Sequence, residues 1–575
     1  MKQILKYLKP YTTFLSFIFI LVFLQTLSEL YLPTLMSEIV DQGIVTGDVQ
    51  QILKIGGIML LVAAAGMGCA LISGYFSSQT GTGFAKILRT QIFTHVESFS
   101  LHEFNQFGTA SLITRTTNDI SQLQMVIMII LRMFISAPFM CLGATLMAIT
   151  KDTKLSLIFL VALPIIIATI AIIFLKSKPL FQAMQTKLDT LNRILLEGLT
   201  GMRVIRAFNR IEHEQQRFNA ANLDLTNTAI KINQIMAGLM PMVMLVMNFT
   251  AIAIIWFGGI RINNGQMQLG NLMAFLQYIM QIMFSLVMLS MMFVMLPRAM
   301  ASATRISEVL ALEPQIKDAP LTKSEQAQRG YLEFQNVSFT YPSAAEPVLT
   351  NLSFQANPGE VTAIIGGTGS GKSTLVNLIP RFYDLTQGKI LLDGLDLREM
   401  TQAELRAKIG YVPQKTVLFK GSILENLRYG KEDATLAELE HATEVAQASE
   451  FIATMKDGLE TMLAQGGTNL SGGQKQRLAI ARALVRQPEI YIFDDSFSAL
   501  DFKTDAKLRA ALKDETSAAT VLIVAQRVNT VMDADRILVL EEGQIVGIGR
   551  HQELLKTCPI YHEIVTSQFA KEEIA

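Results

Sequence analysis

Gly366-Gly367-Thr368-Gly369-Ser370-Gly371-Lys372-Ser373 decides the fold of the chain around it. The stretch follows the apolar run VTAII and precedes TLVNLIP, so a strand, a glycine-rich turn and a helix are expected in that order. Glycines let backbone N–H groups close around phosphate oxygens at the start of a helix that continues through Thr374. Lys372 would reach the outer phosphates and Ser373 a magnesium ion. Further along, four apolar residues, Ile490–Phe493, end in Asp494, which sets a carboxylate at a strand's carboxyl edge, where such an ion would sit. Short β-rich runs such as YLEFQNVSFTY alternate with helix-like segments from about 330 to 575, which argues an α/β P-loop domain there.

Upstream the composition changes. Of 575 residues, 50% are hydrophobic and 17% charged, against about a quarter charged in an ordinary soluble domain. The apolar residues concentrate in the first 300 or so, and a bilayer core takes roughly 20 of them per helix. Six stretches qualify: about 12–36, 54–77, 128–149, 155–176, 236–260 and 271–297. Lys2, Lys6 and Lys9 precede the first, but no small-residue cleavage site follows, so a retained span is expected. Lys and Arg gather in 176–231 and, more thinly, at Lys86, Arg89 and Arg115. The short connectors carry only Lys151, Lys154 and Arg261. Positive-inside orientation then places both termini and the two long connections in the cytoplasm. Those connections keep helical periodicity, as in 191–208, so the spans are expected to continue as helices beyond the membrane.

The expected organisation is an all-α six-helix transmembrane domain over 1–311, a proline-bearing linker at 312–329 and the α/β domain at 330–575. A net charge of zero leaves no nucleic-acid footprint. Cys69, Cys141 and Cys558 lack metal-ligand spacing and read as small hydrophobes.

Between the glycine-rich loop and Asp494 lies Leu470-Ser471-Gly472-Gly473-Gln474, followed by KQRLAIARALV. LSGGQ, about 100 residues after GGTGSGKS and 20 before IYIFDD, resembles the signature of ATP-binding-cassette proteins. Tyr341 in FTYP is similar to the aromatic that stacks on adenine, and Gln414 in YVPQ to the glutamine that also meets magnesium. Ser498-Ala499-Leu500-Asp501 is similar to the D-loop. Six spans, long intracellular extensions and GMRVIRAFNR resemble the exporter type, which implies ATP and Mg²⁺ as cofactors and a second half-transporter as partner. The extension tips near His102–Ala110 and Arg210–Glu214 are where the resemblance places contacts with the cassettes.

Two departures from that pattern set the expected subtype. The glutamate expected after the magnesium aspartate is Asp495, one methylene shorter, which draws the carboxylate back by about 1.5 Å. Misplacement on the 1 Å scale costs about 100-fold in rate. The histidine expected in A-H-R is Gln526 in VAQR, whose amide carries no positive charge. AQGG before the signature also departs from the GERG-type approach. Family logic pairs two cassettes head-to-tail, so Ser471, Gly472, Gly473 and Gln474 would complete the partner's site while Asp495 and Gln526 sit in this chain's own. A heterodimeric exporter of amphipathic, drug-like compounds is expected. A homodimeric lipid or peptide exporter and an ATP-gated channel are the alternatives.

Within the spans, Glu29 is a costly acid and therefore a candidate for contact with cationic cargo, against an interfacial placement near Pro33 and Asp41. Gln277, Tyr278 and Gln281 in span six and Asn248 in span five are polar at helical spacing, which makes them candidate cavity residues. The methionines around them read mainly as packing.

Overall fold

A computed structural model describes residues 2–318, 329–342 and 344–568. The chain forms two compact units, Met1–Glu97 with Thr109–Leu312, and Ser98–Gly108 with Glu313–Ala575.

The first unit is helical. Among the described residues, six runs are long and apolar enough to cross a membrane: Lys6–Ile44, Val49–Glu97, Thr109–Lys151, Leu157–Thr200, Ile211–Asn263 and Leu269–Ala311. The shortest has 39 residues, about 60 Å at 1.5 Å per residue, twice a bilayer core of about 30 Å. Each apolar stretch therefore continues as helix past the hydrocarbon. The connectors between spans one and two and between five and six turn at Gly47 and Gly265, both at positive φ. The connector between spans three and four is pinned by Asp152, which accepts from Leu155 N (2.9 Å) and from Arg261 Nε (2.8 Å) on the fifth run. Among the described residues three stretches wind as π-helix, Ile39–Ile44, Arg115–Asp119 and Ile130–Phe134. The second ends at Asp119, buried and satisfied by Ser302 Oγ (2.9 Å), Arg305 Nε (2.8 Å) and Arg305 Nη2 on the sixth run. An uncompensated carboxylate there would be costly, so three donors fix the third run against the sixth.

Among the described residues the second unit has two larger sheets and a two-stranded pair, Gly421–Ser422 with Met462–Leu463. In the six-stranded sheet the order is Gln544–Gly549, Arg536–Glu541, Val361–Gly366, Thr520–Val524, Ile490–Asp494, Ile409–Val412. Only the first pair is antiparallel. The parallel strands at the centre are buried on both faces, hence their uninterrupted apolar runs. An antiparallel sheet of Leu349–Ala356, Leu332–Phe339, Gln387–Leu392 and Leu395–Asp396 packs its own apolar face with Ile364, Ile492 and Leu522.

The sixth run ends at Ala311. Residues 98–108, however, belong to the second unit. The reason is local. Leu101–Phe107 is a short helix capped by Ser100 and stopped by Gly108 at φ 72°. Its Glu103 is buried and accepts from Ser100 N (2.7 Å) and Gln315 N (3.4 Å). Of the expected linker, Leu312–Asp318 and Arg329 are described, and Asp318 accepts from Gln402 N (2.9 Å). Residues 319–328 lie outside the described residues.

Candidate nucleotide site

Register brings the motifs together. Val524 pairs with both Ile364 and Asp494, and Val412 with Phe493, so four adjacent parallel strands end at one edge of the sheet. The segments leaving that edge carry Gly366, Gln414, Asp495 and Gln526. In open α/β sheets the crevice outside the carboxyl ends of the strands is where ligands bind.

The loop conforms to its sequence. A Cβ on Gly366 would lie 2.0 Å from Leu540 O, so backbone alone fits there. Gly369 and Gly371 take φ of 85° and 97°, which side chains rarely adopt. Gly367, Thr368 and Gly369 form the exposed tip, and Ser370 is buried beneath it. Gly366→Ala should therefore remove nucleotide binding outright, because the obstacle is a strand carbonyl and not a movable side chain. Equilibrium binding of ATP to the full chain checks this, with Gly367→Ala, whose Cβ meets nothing within 4 Å, as the tolerated control.

Lys372 Nζ donates to Gly366 O (2.9 Å) and Gly367 O (2.6 Å), holding its charge across the mouth of the loop. Burial lowers its pKa, against the nearby Asp495 and Asp494, which raise it. Ser373 Oγ donates to Asp494 Oδ1 at 3.0 Å. A hydroxyl and a buried carboxylate so placed are hard oxygen donors and fit Mg²⁺, whose remaining positions are filled by water and phosphate.

Burial raises the Asp494 pKa, with Asp495 adding to the effect and Ser373 and Lys372 opposing it. The sign has two consequences. The folded protein holds this proton at a pH where an unfolded aspartate has released it, so through this group nucleotide-free stability rises as pH falls toward 3.8. The protonated carboxyl is a poor Mg²⁺ ligand, so Mg²⁺-dependent ATP affinity should fall over the same window. Titrating ATP with and without Mg²⁺ as the pH is lowered from neutral toward 3.8 checks this. Asp494→Asn should flatten the Mg²⁺-dependent difference.

Asp495 sits at φ 47°, with its N–H bonded to Val524 O (3.0 Å). Its Oδ2 accepts from Gln414 Nε2 (3.2 Å) and from Gln526 Nε2 (3.3 Å). The shortened carboxylate is thus held between two side-chain amides. Tyr341 bonds Thr374 Oγ1 (3.0 Å), and its ring stands edge-on to Phe339 and Tyr383 beside the loop.

The signature forms a capping box. Ser471 Oγ accepts from Gln474 N (3.3 Å), and Gln474 Oε1 from Ser471 N (2.9 Å), at the start of helix Gly472–Val485. Its neighbours are the D-loop residues: a Cβ on Gly473 would lie 3.1 Å from Ala499 O, and Gln476 Oε1 accepts from Ala499 N (3.2 Å). Asp501 caps the next helix through Thr504 N (3.0 Å), and these bonds lower its pKa. Ser471 and Gly472 are exposed.

The membrane-half candidates separate. Tyr278 is not a cavity residue. It is completely buried, and its hydroxyl bonds Thr34 Oγ1 (2.8 Å) and Leu30 O (3.1 Å), which pins the sixth run to the first. Polarity at helical spacing marked it, but a tyrosine whose hydroxyl is satisfied can be interior. Gln281 is half-buried, with Nε2 on Glu29 O (3.0 Å), and Glu29 Oε1 accepts from Gln25 Nε2 (2.9 Å). Gln277 and Asn248 are exposed on their helices. Sequence reasoning passed over Gln568, which bonds the backbone on both sides of Arg527. Its only trace in the sequence is its place seven residues after Tyr561.

Residues 15–286 match the family described as ABC transporter transmembrane region, and 349–498 that described as ABC transporter. An uncharacterized ABC transporter ATP-binding protein of Mycobacterium tuberculosis is 43% identical over 567 residues, 98% of this chain and 97% of that one. A Bacillus subtilis protein named for multidrug export ATP-binding/permease function is 32% identical, covering 99% of each chain. An ATP-dependent lipid A-core flippase of Chromobacterium violaceum is 30% identical over 100% of this chain and 98% of its own. The solved structure of a bacterial Atm1-family ABC exporter with ATP bound superposes with a TM-score of 0.80, at 26% identity, covering 96% of this chain and 98% of that one. A multi-pass helical half fused to an ATP-binding half, matched along its whole length, makes this chain a half-transporter of the ABC exporter family.

Proposed function

We propose that the chain is one half of a heterodimeric, ATP-driven exporter of amphipathic compounds, whose own nucleotide pocket binds ATP and hydrolyses it slowly. The observation that carries this reading is Asp495, a shortened carboxylate held by the amides of Gln414 and Gln526. A base that polarises water must reach it and be free to accept its proton. Asp495 is set back, and its Oδ2 already takes two hydrogen bonds. Gln526 supplies a donor but no charge toward a γ-phosphate.

In this reading Tyr341 offers the adenine its ring, the Gly366–Gly371 backbone and Lys372 hold the phosphates, and Ser373, Asp494 and Gln414 serve the Mg²⁺. When bound, the ion would draw charge from the transferring phosphoryl group. Ser471, Gly472, Gly473 and Gln474, with Asp501 beside them, complete the partner's pocket. Both termini and the cassette half are cytoplasmic, as the Lys and Arg distribution argues. Glu29, Gln277, Gln281 and Asn248 remain candidates for the cargo surface.

Copurification from the native membrane is the test. A partner of similar size bearing glutamate after its magnesium aspartate supports the reading; a self-dimer with substantial ATPase activity overturns it. Lys372→Ala should abolish ATP binding at this chain's pocket yet leave hydrolysis in the heterodimer, measured by photolabelling each chain separately. The likeness to a lipid A-core flippase favours a second reading, a homodimeric lipid exporter, in which Lys372→Ala removes all hydrolysis.

A further inference from the structure

Three features converge on Gln568. It lies near the end of helix Pro559–Gln568, on the face that also carries Tyr561 and Val565, at i, i+4 and i+7. Tyr561 and Val565 are buried in the main apolar core, and Tyr561 bonds His551 Nδ1 (2.7 Å), so this face is seated against the cassette. The Gln568 amide then uses both of its ends. Nε2 donates to Gln526 O (2.8 Å), and Oε1 accepts from Val528 N (2.9 Å).

The two bonds bracket Arg527, whose Nη2 donates to Ser498 O (3.1 Å) and whose guanidinium lies 5.7 Å from the Phe502 ring centre. A side chain that bonds residues on both sides of a loop position fixes that loop as a neighbouring strand would. The loop leaves the strand end at Val524, so its backbone decides where the Gln526 amide points, and that amide reaches Asp495.

We propose that Gln568 is a positioning residue for the Gln526 loop. Through it the C-terminal helix sets the geometry of this chain's own nucleotide pocket. Gln568 does not reach the Asp495 carboxylate; it acts through the backbone of Gln526 and Val528. The inference rests on the reading that this pocket holds ATP with Gln526 facing the γ-phosphate.

The test is ATP·Mg²⁺ binding to the full-length chain in lipid nanodiscs, in the cold to suppress turnover. Gln568→Leu keeps the helix face apolar and removes both bonds, and should weaken ATP binding roughly five- to tenfold, a modest loss because both bonds lie at a partly exposed loop. Gln568→Glu keeps the acceptor for Val528 N, loses the donor to Gln526 O, and should fall between the two. Gln526→Ala should make Gln568→Leu nearly silent, because both act on one loop. Thermal unfolding of each variant separates loss of the clamp from loss of the fold, and should Gln568→Leu not fold, Gln568→Glu carries the comparison. Wild-type affinity in both Gln568 variants, or full additivity with Gln526→Ala, overturns the inference. Wild-type protein that binds no ATP, or binds it equally well as Lys372→Ala, overturns the underlying reading instead.

Discussion

Ser471→Arg is expected to reduce ATP hydrolysis by the assembled transporter at least about 100-fold while leaving ATP binding at this chain's own pocket unchanged. Ser471 is exposed and caps helix Gly472–Val485 by exchanging hydrogen bonds with Gln474. Losing the cap alone costs only about 1 kcal/mol, too little to unfold a domain whose core runs beneath that helix. On the proposed heterodimer, the larger effect falls at the partner's site. In a composite pocket the serine hydroxyl and the start of the helix face the partner's phosphates, and a guanidinium there displaces the close approach on which phosphoryl transfer depends. Misplacement on the 1 Å scale already costs about 100-fold, and an arginine side chain intrudes much further. Steady-state ATPase of the heterodimer gives the loss, and photolabelling of this chain gives the control. Unchanged turnover would falsify the composite site.

The second large effect comes from two substitutions together. Asp495→Glu alone should raise turnover at this chain's pocket by less than about tenfold, and Asp495→Glu with Gln526→His by about 100-fold or more. The added methylene restores reach, but the carboxylate remains bonded to an uncharged amide at 3.3 Å in the starting geometry. Histidine supplies a group that can become cationic beside the transferring phosphoryl group. The measurement is single-turnover hydrolysis in a heterodimer whose other pocket is disabled at its own loop lysine. Full activity from Asp495→Glu alone would show that length was the whole defect.

Much of the site was legible in the sequence because each motif is local. A glycine at positive φ, such as Gly369 or Gly371, is demanded by the loop it stands in, and a buried parallel strand advertises itself as an apolar run ending in Asp494. Cap residues are equally local, as Ser471 and Gln474 demonstrate within four residues. Failures came where a residue's role depends on something distant. Tyr278 has the spacing of a cavity residue, yet its hydroxyl is satisfied by Thr34 and Leu30, more than 240 positions earlier. Gln568 lies 42 positions from Gln526 and carries no motif at all.

The sequence by itself determined the six long apolar helices, the strand–loop–helix with its glycine-rich turn, and the two departures at Asp495 and Gln526. Periodicity, glycine conformation and side-chain length act over a few residues, so they can be read along the chain. Tertiary structure alone decided that Gln414 and Gln526, from loops after separate strands, close on one oxygen of Asp495. Parallel register puts those strand ends on the same edge, and register is set by packing across the sheet, which no stretch of neighbouring residues encodes.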